Sequence, residues 1–279
     1  MTELIALTRE VSASIADCEL THLGRVPIDV ELARAQHQAY EEALAEGGCT
    51  VVRVAAAPDL PDAVFVEDAA VVFDQVAVIM RPGAASRRAE TASVAEVLAC
   101  CREIRVIEAP ATIDGGDVLA AGRDVYVGVS SRTNRAGADQ MRMMLEPYGY
   151  AVHAISVTGC LHLKSAVTAL ADDTLLVNGQ WVARDRFASF ALVDVDSREP
   201  SAANIVRAGG LLVYPDAFPR TRERIERAGF QVRSVNVSEI AKAEGAVTCC
   251  SLIFNGGVGS RLQFLRRHAA ISANDSRHR

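Results

Sequence analysis

The sequence predicts an α/β protein built as a closed ring of repeated modules. Three observations lead there. One pattern recurs in five copies at about 40 to 50 residues: a polar motif, an apolar run, a turn, a second apolar run and usually a helix. The fifth copy, "AVTCCSLIF", has no clear partner strand of its own. The N-terminal strand "ELIALTR" can supply that partner, and closure removes exposed sheet edges. A doubly wound α/β sheet is the alternative. The ring is preferred because polar motifs head successive copies, and a ring gathers them at one centre.

The elements follow in order. "DVELARAQHQAYEEALAEGG" reads as a helix capped by Asp29 and ended by Gly47. Its apolar face is Val30, Ala33, Tyr40 and Leu44, at helical spacing. "VFVEDAAVVFDQVAVIMRPG" is the first clear copy and turns at "FDQ". "DGGDVLAAGRDVYVGVSSRTN" turns at "AGRD", "LHLKSAVTALADDTLLVNG" at "ADD", and "AANIVRAGGLLVYPDA" at "AGG". Helical segments lie between copies: "SRRAETASVAEVLACC", "RTNRAGADQMRMMLEPYG" and "PRTRERIERAGF", the last with Gly229 as its stop. No internal boundary stands out, so residues 1–254 read as a single catalytic domain. Residues 255–279 are glycine-rich, then basic, and read as a frayed or surface tail.

Composition narrows the function. Of 279 residues half are apolar and 23% are charged, which is globular rather than disordered. The net charge of −6 argues against nucleic acid as the partner, since phosphate binding needs a positive surface. There is no long apolar run, and the N-terminus lacks the basic start and apolar stretch of a signal peptide. We expect a soluble cytoplasmic protein with no membrane partner. The seven cysteines are odd in number, lack framework spacing and include no C-x-x-C, so free thiols are expected.

The chemistry-bearing residues head the copies. They are Glu67 and Asp68 in "FVED", Asp114 and Asp117 in "DGGD", His162 and Lys164 in "HLK", and Cys249. Each has a bland reading on its own. "DGGD" is most often a turn, a histidine between leucines a core histidine, and a cysteine in an apolar strand a small hydrophobe. Together they say more. A nucleophilic cysteine needs an imidazole, and the imidazole needs a carboxylate to orient it. Strand alternation would turn Cys249 outward and Cys250 into the core. The acids Asp62, Glu67, Asp68, Asp114 and Asp117 would make a pocket of acceptors, suited to the donors of a guanidinium. Cys249, His162 and an Asp would also suit zinc, but they are scattered without local ligand pairs, so no metal is expected.

These motifs resemble a known family. "LPDAVFVEDAAVV", "RPGAASRRAE", "ATIDGGDVL", "VGVSSRTNRAGA", "LHLKSAVTAL", "AAN" and "EGAVTCCSLIF" are similar, in order, to the dimethylarginine dimethylaminohydrolases of the guanidine-modifying superfamily. The resemblance implies the pentein fold, a five-bladed α/β propeller of ββαβ modules around a central site. It implies Cys249 as nucleophile, His162 as general acid and base, and Asp114 as the carboxylate orienting His162. It implies that Asp68 holds the guanidino nitrogens while Asp62 and Glu67 shape the pocket. Arg87 and Arg132 would bind the substrate α-carboxylate, and the carbonyls of Leu20 and Ala243 its α-amino group. Leu20 belongs to "LTHLGR", which would act as a lid. The implied substrate is a small cationic methylated arginine and the product citrulline. No cofactor is implied, and a homodimer is left open.

Three positions differ across the superfamily. Asp114 stands where some bacterial members carry Glu. Glu244 stands where many members have Asp. Lys164 stands two residues after the histidine, where arginine deiminases carry an acid, which favours a methylated substrate over arginine. A deiminase of arginine or of another modified arginine is the alternative, and a non-catalytic binding protein on the same fold is the other. The thiol of Cys249 is expected to titrate near its reference of ~8.5 in the free protein.

Overall fold

Valine, isoleucine and leucine dominate the apolar runs, and they pack as short strands rather than helices because turn residues interrupt them every few positions. The computed structural model describes residues 3–256, and its strands form five sheets of three. Strand β1 (Leu4–Thr8) lies between β15 (Leu252–Asn255) and β2 (Cys49–Arg53). The other sheets are β3 (Ala70–Val72), β4 (Val76–Ile79) and β5 (Glu103–Val106); β6 (Val118–Ala121), β7 (Asp124–Val129) and β8 (Ala151–Ser156); β9 (Val167–Ala169), β10 (Thr174–Val177) and β11 (Ala191–Asp194); and β12 (Val206–Ala208), β13 (Leu211–Pro215) and β14 (Val232–Val235). In every sheet the central strand pairs antiparallel on one side and parallel on the other. The antiparallel pairs of the four internal sheets turn at the expected "FDQ", "AGRD", "ADD" and "AGG" positions. The fifth is made by the chain's two ends, with Leu4 opposite Asn255 and Leu7 opposite Leu252. The ring is closed as the sequence suggested, giving a five-bladed α/β propeller.

The parallel pairs need crossovers. Helix α1 (Val30–Glu46) carries β1 to β2, α2 (Thr91–Ala99) carries β4 to β5, and α3 (Arg135–Leu145) carries β7 to β8. The single turn α4 (Leu163–Ala166) precedes β9, α5 (Pro219–Arg227) joins β13 to β14, and α6 (Ser238–Lys242) precedes the last motif. The start of α1 follows from Asp29, whose side chain accepts the Leu32 N–H at 3.0 Å. Ala33, Tyr40 and Leu44 are buried as expected, and Val30 is only partly covered. No helix among the described residues is long and apolar enough to cross a membrane. Asn255 ends β15 and pairs with Leu4, so the sheet reaches one residue into the expected tail of 255–279; residues 257–279 lie outside the described residues.

The motifs that head the copies are not strands. Val66–Ala69, Gly115–Asp117 and Thr248–Cys250 are single 3-10 turns, and His162 caps α4. Val66–Ala69, Gly115–Asp117 and α4 run directly into β3, β6 and β9, and Thr248–Cys250 is one residue from β15. Backbone bonds such as Asp117 N–H to the Asp114 carbonyl (3.0 Å) and Ser165 N–H to the His162 carbonyl (3.0 Å) close them. Side chains in such a turn spread around its axis instead of alternating between two faces. That difference decides how the site is built.

Candidate active site

Two cavities take up the residues that head the copies. One is a narrow cleft lined by Asp62, Asp68, Arg87, Arg132, His162, Ala243 and Cys249, together with Glu244. The other is a cavity of about 600 Å³ lined by the first strands of the blades and by Glu67, Lys164 and Thr248. The 3-10 turns explain the division. Asp68 and Cys249 face the cleft, while their neighbours Glu67 and Thr248 face the larger cavity. Glu67 therefore does not line the acidic cleft, contrary to expectation. Its Oε1 accepts from Lys164 Nζ at 2.7 Å and its Oε2 from the Thr248 hydroxyl at 2.7 Å. Asn204, from the "AAN" motif, braces the same turn by accepting the Thr248 N–H and donating to its hydroxyl.

His162 sits between two carboxylates. Its Nε2 donates to Asp114 Oδ2 at 3.0 Å, and its Nδ1 lies 3.9 Å from Asp68 Oδ1. Asp114 is fully buried, and its second oxygen accepts the Gly83 N–H at 2.8 Å. Asp114 is thus outside the cleft and behind the imidazole, as an orienting group should be. Asp117 is also outside the cleft, against the expectation that it lines the pocket. It accepts the Leu163 N–H (2.9 Å) and the Ser130 hydroxyl (2.6 Å), which anchors the backbone next to His162. Gly116 makes the close approach possible, because a Cβ there would meet His162 Nδ1 at 2.6 Å. "DGGD" is a turn, and its two acids hold the imidazole of His162 and the backbone beside it.

Arg87 departs from its expected role. Its guanidinium is buried, donating to Asp68 Oδ2 at 2.6 Å, to both oxygens of Glu90, and to the carbonyls of Asp62 and Phe65. Its donors are engaged by these partners, so they do not await a substrate carboxylate. Glu90 is the residue that sequence reasoning missed. It lies three positions on in the 3-10 segment Ala85–Glu90, and that spacing was its only signal. Arg132 sits at the mouth of the cleft, with Nη2 donating to the Thr21 hydroxyl at 2.8 Å. Asp62 accepts the Glu19 N–H at 3.0 Å. Leu20 packs at the edge of a core cluster and does not line the cleft.

The electrostatics follow from these contacts. Burial alone would lower the His162 pKa, but Asp68, then Asp114 and Asp117, raise it to about 9. Asp68 runs the other way: burial would raise it, but His162 and Arg87 bring it to about 2. Burial pushes Asp117 up to about 6. Cys249 is partly exposed as a residue, yet burial of its thiol, helped by Glu67 and Asp68, lifts its pKa to about 12. This overturns the expectation of ~8.5 for the free protein, which had counted no anionic neighbours. The resting site pairs a neutral thiol with an imidazolium. Cys250, in contrast, is buried in the core and donates back to the Ala246 carbonyl.

The family model described as "N,N dimethylarginine dimethylhydrolase, eukaryotic" matches residues 25–187, more than half the chain. A dimethylarginine dimethylaminohydrolase of Streptomyces coelicolor is 43% identical over 259 residues, spanning 88% of this chain and 95% of its own. The chain belongs to the dimethylarginine dimethylaminohydrolase family. The Pseudomonas aeruginosa enzyme of that name is 38% identical, over 84% of this chain and 92% of its own. A solved structure of the Pseudomonas enzyme, a cysteine-to-serine variant complexed with citrulline, superimposes with a TM-score of 0.86 at 34% identity. It covers 91% of this chain and all of that one.

Two features of this dimethylarginine dimethylaminohydrolase family member gain meaning from the geometry. Lys164 lies in the single turn α4, next to the His162 cap. It lines the larger cavity and donates to Glu67 and to the Gly115 carbonyl. Asp68, Asp114 and His162 also bring donor atoms within 4.8 Å of one another, the spacing of a metal site. Each carboxylate oxygen of that trio already faces an N–H donor or the imidazole.

Proposed function

We propose that this protein hydrolyses Nω-methylated arginine to citrulline, releasing dimethylamine or methylamine. Binding of the guanidinium beside Cys249 favours loss of the thiol proton to solvent water, since a cation opposes the effect of Glu67 and Asp68. The thiolate sulfur attacks the guanidino carbon, forming a C–S bond and a tetrahedral adduct. His162 gives its proton to the departing amine nitrogen as the C–N bond breaks, leaving a thiouronium on Cys249. The neutral imidazole then takes a proton from water as the water oxygen attacks the same carbon. As the C–S bond breaks, the hydroxyl proton of this second adduct passes to the leaving sulfur, so that citrulline departs and the neutral thiol and the imidazolium of the resting site are restored.

In this reading Asp114 orients His162, and Asp68 accepts guanidino N–H groups. Arg132 meets the α-carboxylate. Asp62 and the carbonyls of Leu20 and Ala243 face the α-amino end. Arg87 serves by fixing Asp68. The seven free cysteines suit the cytoplasm, where thiols stay reduced.

The carrying observation is one cleft that holds the Cys249 thiol, an imidazole oriented by a buried carboxylate, and further carboxylates. The test is to incubate the protein with asymmetric dimethylarginine and measure citrulline. Production above the Cys249→Ser control is expected, and none above it rejects the reading.

A further inference from the structure

The cleft as it stands holds about 20 Å³ of free space, room for a single water. An amino acid the size of a methylated arginine does not fit, so something that closes the cleft has to move. The exposed loop 21–27 is tied to two residues that line the cleft, Glu244 and Arg132. Of the two, Glu244 holds the backbone of the loop. Glu244 Oε1 accepts the N–H groups of His22 and Leu23, both at 2.5 Å, and its Oε2 accepts the Thr21 N–H at 3.0 Å. Three successive amides converging on a carboxylate form an anion-binding concavity with charge-assisted bonds.

The backbone is arranged to deliver this carboxylate. Glu244 has φ of +57°, a conformation that side-chain-bearing residues rarely adopt. Such strain persists only where the surroundings impose it. Here the Glu244 N–H is tied to the Ala241 carbonyl at 3.1 Å, and Gly245 is packed so closely that a Cβ would meet the Phe65 ring at 2.3 Å. Each end of the latch is also next in sequence to a proposed substrate contact. Glu244 follows Ala243, and Thr21 follows Leu20.

We propose that Glu244 is a positioning residue: it latches the loop shut and in doing so sets the Leu20 carbonyl against the Ala243 carbonyl, where the α-amino end of the substrate is received. Entry of substrate breaks the latch, and closure over the bound amino acid remakes it. The substrate part of this inference rests on the proposed methylarginine hydrolysis. The latch itself does not.

The test uses the full chain and its Glu244→Gly and Glu244→Gln variants. Glycine removes the carboxylate and relieves the backbone, while glutamine keeps the side-chain length and removes the charge. Hydrogen exchange at the amides of Thr21, His22 and Leu23 is expected to speed up about tenfold or more in Glu244→Gly, and less in Glu244→Gln. Alkylation of Cys249 by iodoacetamide in the absence of substrate is expected to accelerate in the same order. With asymmetric dimethylarginine, KM is expected to rise more than kcat falls. Unchanged exchange at the three amides in both variants overturns the latch. Faster exchange with unchanged KM overturns the positioning of the α-amino end. If Glu244→Gly does not fold, Glu244→Gln decides on the same readouts. If the wild-type protein makes no citrulline, the hydrolase reading falls, and the exchange result still judges the latch.

Discussion

His162 donates its Nε2–H to Asp114 at 3.0 Å, and Asp114 has no exposed surface. A bond of this kind fixes both the ring plane and the tautomer, so the other nitrogen, Nδ1, is the one turned toward Asp68. Replacing Asp114 by Asn removes the obligatory acceptor and lets an amide N–H confront Nε2, which favours the wrong tautomer. Asp114→Asn should lower kcat by about a hundredfold to ten-thousandfold, with little change in KM. Steady-state kinetics would check it. A variant retaining nearly full kcat would show that Asp114 does not orient the imidazole.

The same carboxylates link His162 to stability. Its pKa is raised in the folded protein from the usual 6.5 to about 9. A raised value means that the stabilisation is complete below about 6.5 and is lost as pH climbs through 9. Urea unfolding between these limits should show wild-type stability falling relative to His162→Asn, by up to about 3 kcal/mol. Parallel curves for the two proteins over that range would contradict the charge assignment.

Cys249 offers a third measurement. With its thiol near 12, the free protein should show no thiolate absorbance from Cys249 at neutral pH. A bound guanidinium that resists turnover should bring that absorbance to lower pH, and so should Glu67→Gln, which removes one of the anions raising the thiol. The Cys249→Ser variant supplies the baseline. Thiolate at neutral pH without ligand would mean that burial and the two acids do not control this sulfur.

Much of this was legible beforehand, and the reasons for the rest are physical. The turns at "FDQ" and "AGRD" and the closure of β15 by β1 could be read because turn chemistry and apolar runs are local signals. Cys249 and His162 could be read because they head separate copies, while the choice of Asp114 among the acids came from the family resemblance. The 3-10 turns could not, since three or four residues carry no periodicity. Without them, Glu67 and Asp117 seemed to belong in the same pocket as Asp68, and Arg87 seemed free for a substrate. Glu244 reaches amides more than 220 positions away, a contact that only closure of the ring creates.

Arg87 divides a structural role from a substrate-binding one. It is buried between Asp68 and Glu90, and removing it strands two carboxylates away from water. Arg87→Ala should therefore destabilise the fold by about 3–5 kcal/mol in urea unfolding. Arg132→Ala, at the mouth of the cleft, should leave stability nearly unchanged and raise KM. Equal stability for both variants would return Arg87 to the role of a substrate anchor.

Gly116 supplies the most local test of the site. Its N–H donates to Asp68 Oδ1 at 2.9 Å, and its α-carbon faces His162. A methyl group there would lie 2.6 Å from His162 Nδ1 and 2.9 Å from Asp68 Oδ1, inside the contact distance of either atom. Neither neighbour can yield cheaply, because Asp114 holds the imidazole from behind and Arg87 holds Asp68. Gly116→Ala should displace the ring from the cleft, so kcat falls by about a hundredfold or more. The Gly122→Ala control, at a hairpin tip with φ of +63° and open space around it, should cost stability but spare kcat. Loss of kcat in the control, or its retention in Gly116→Ala, would mean that activity does not depend on the spacing between this glycine and the imidazole.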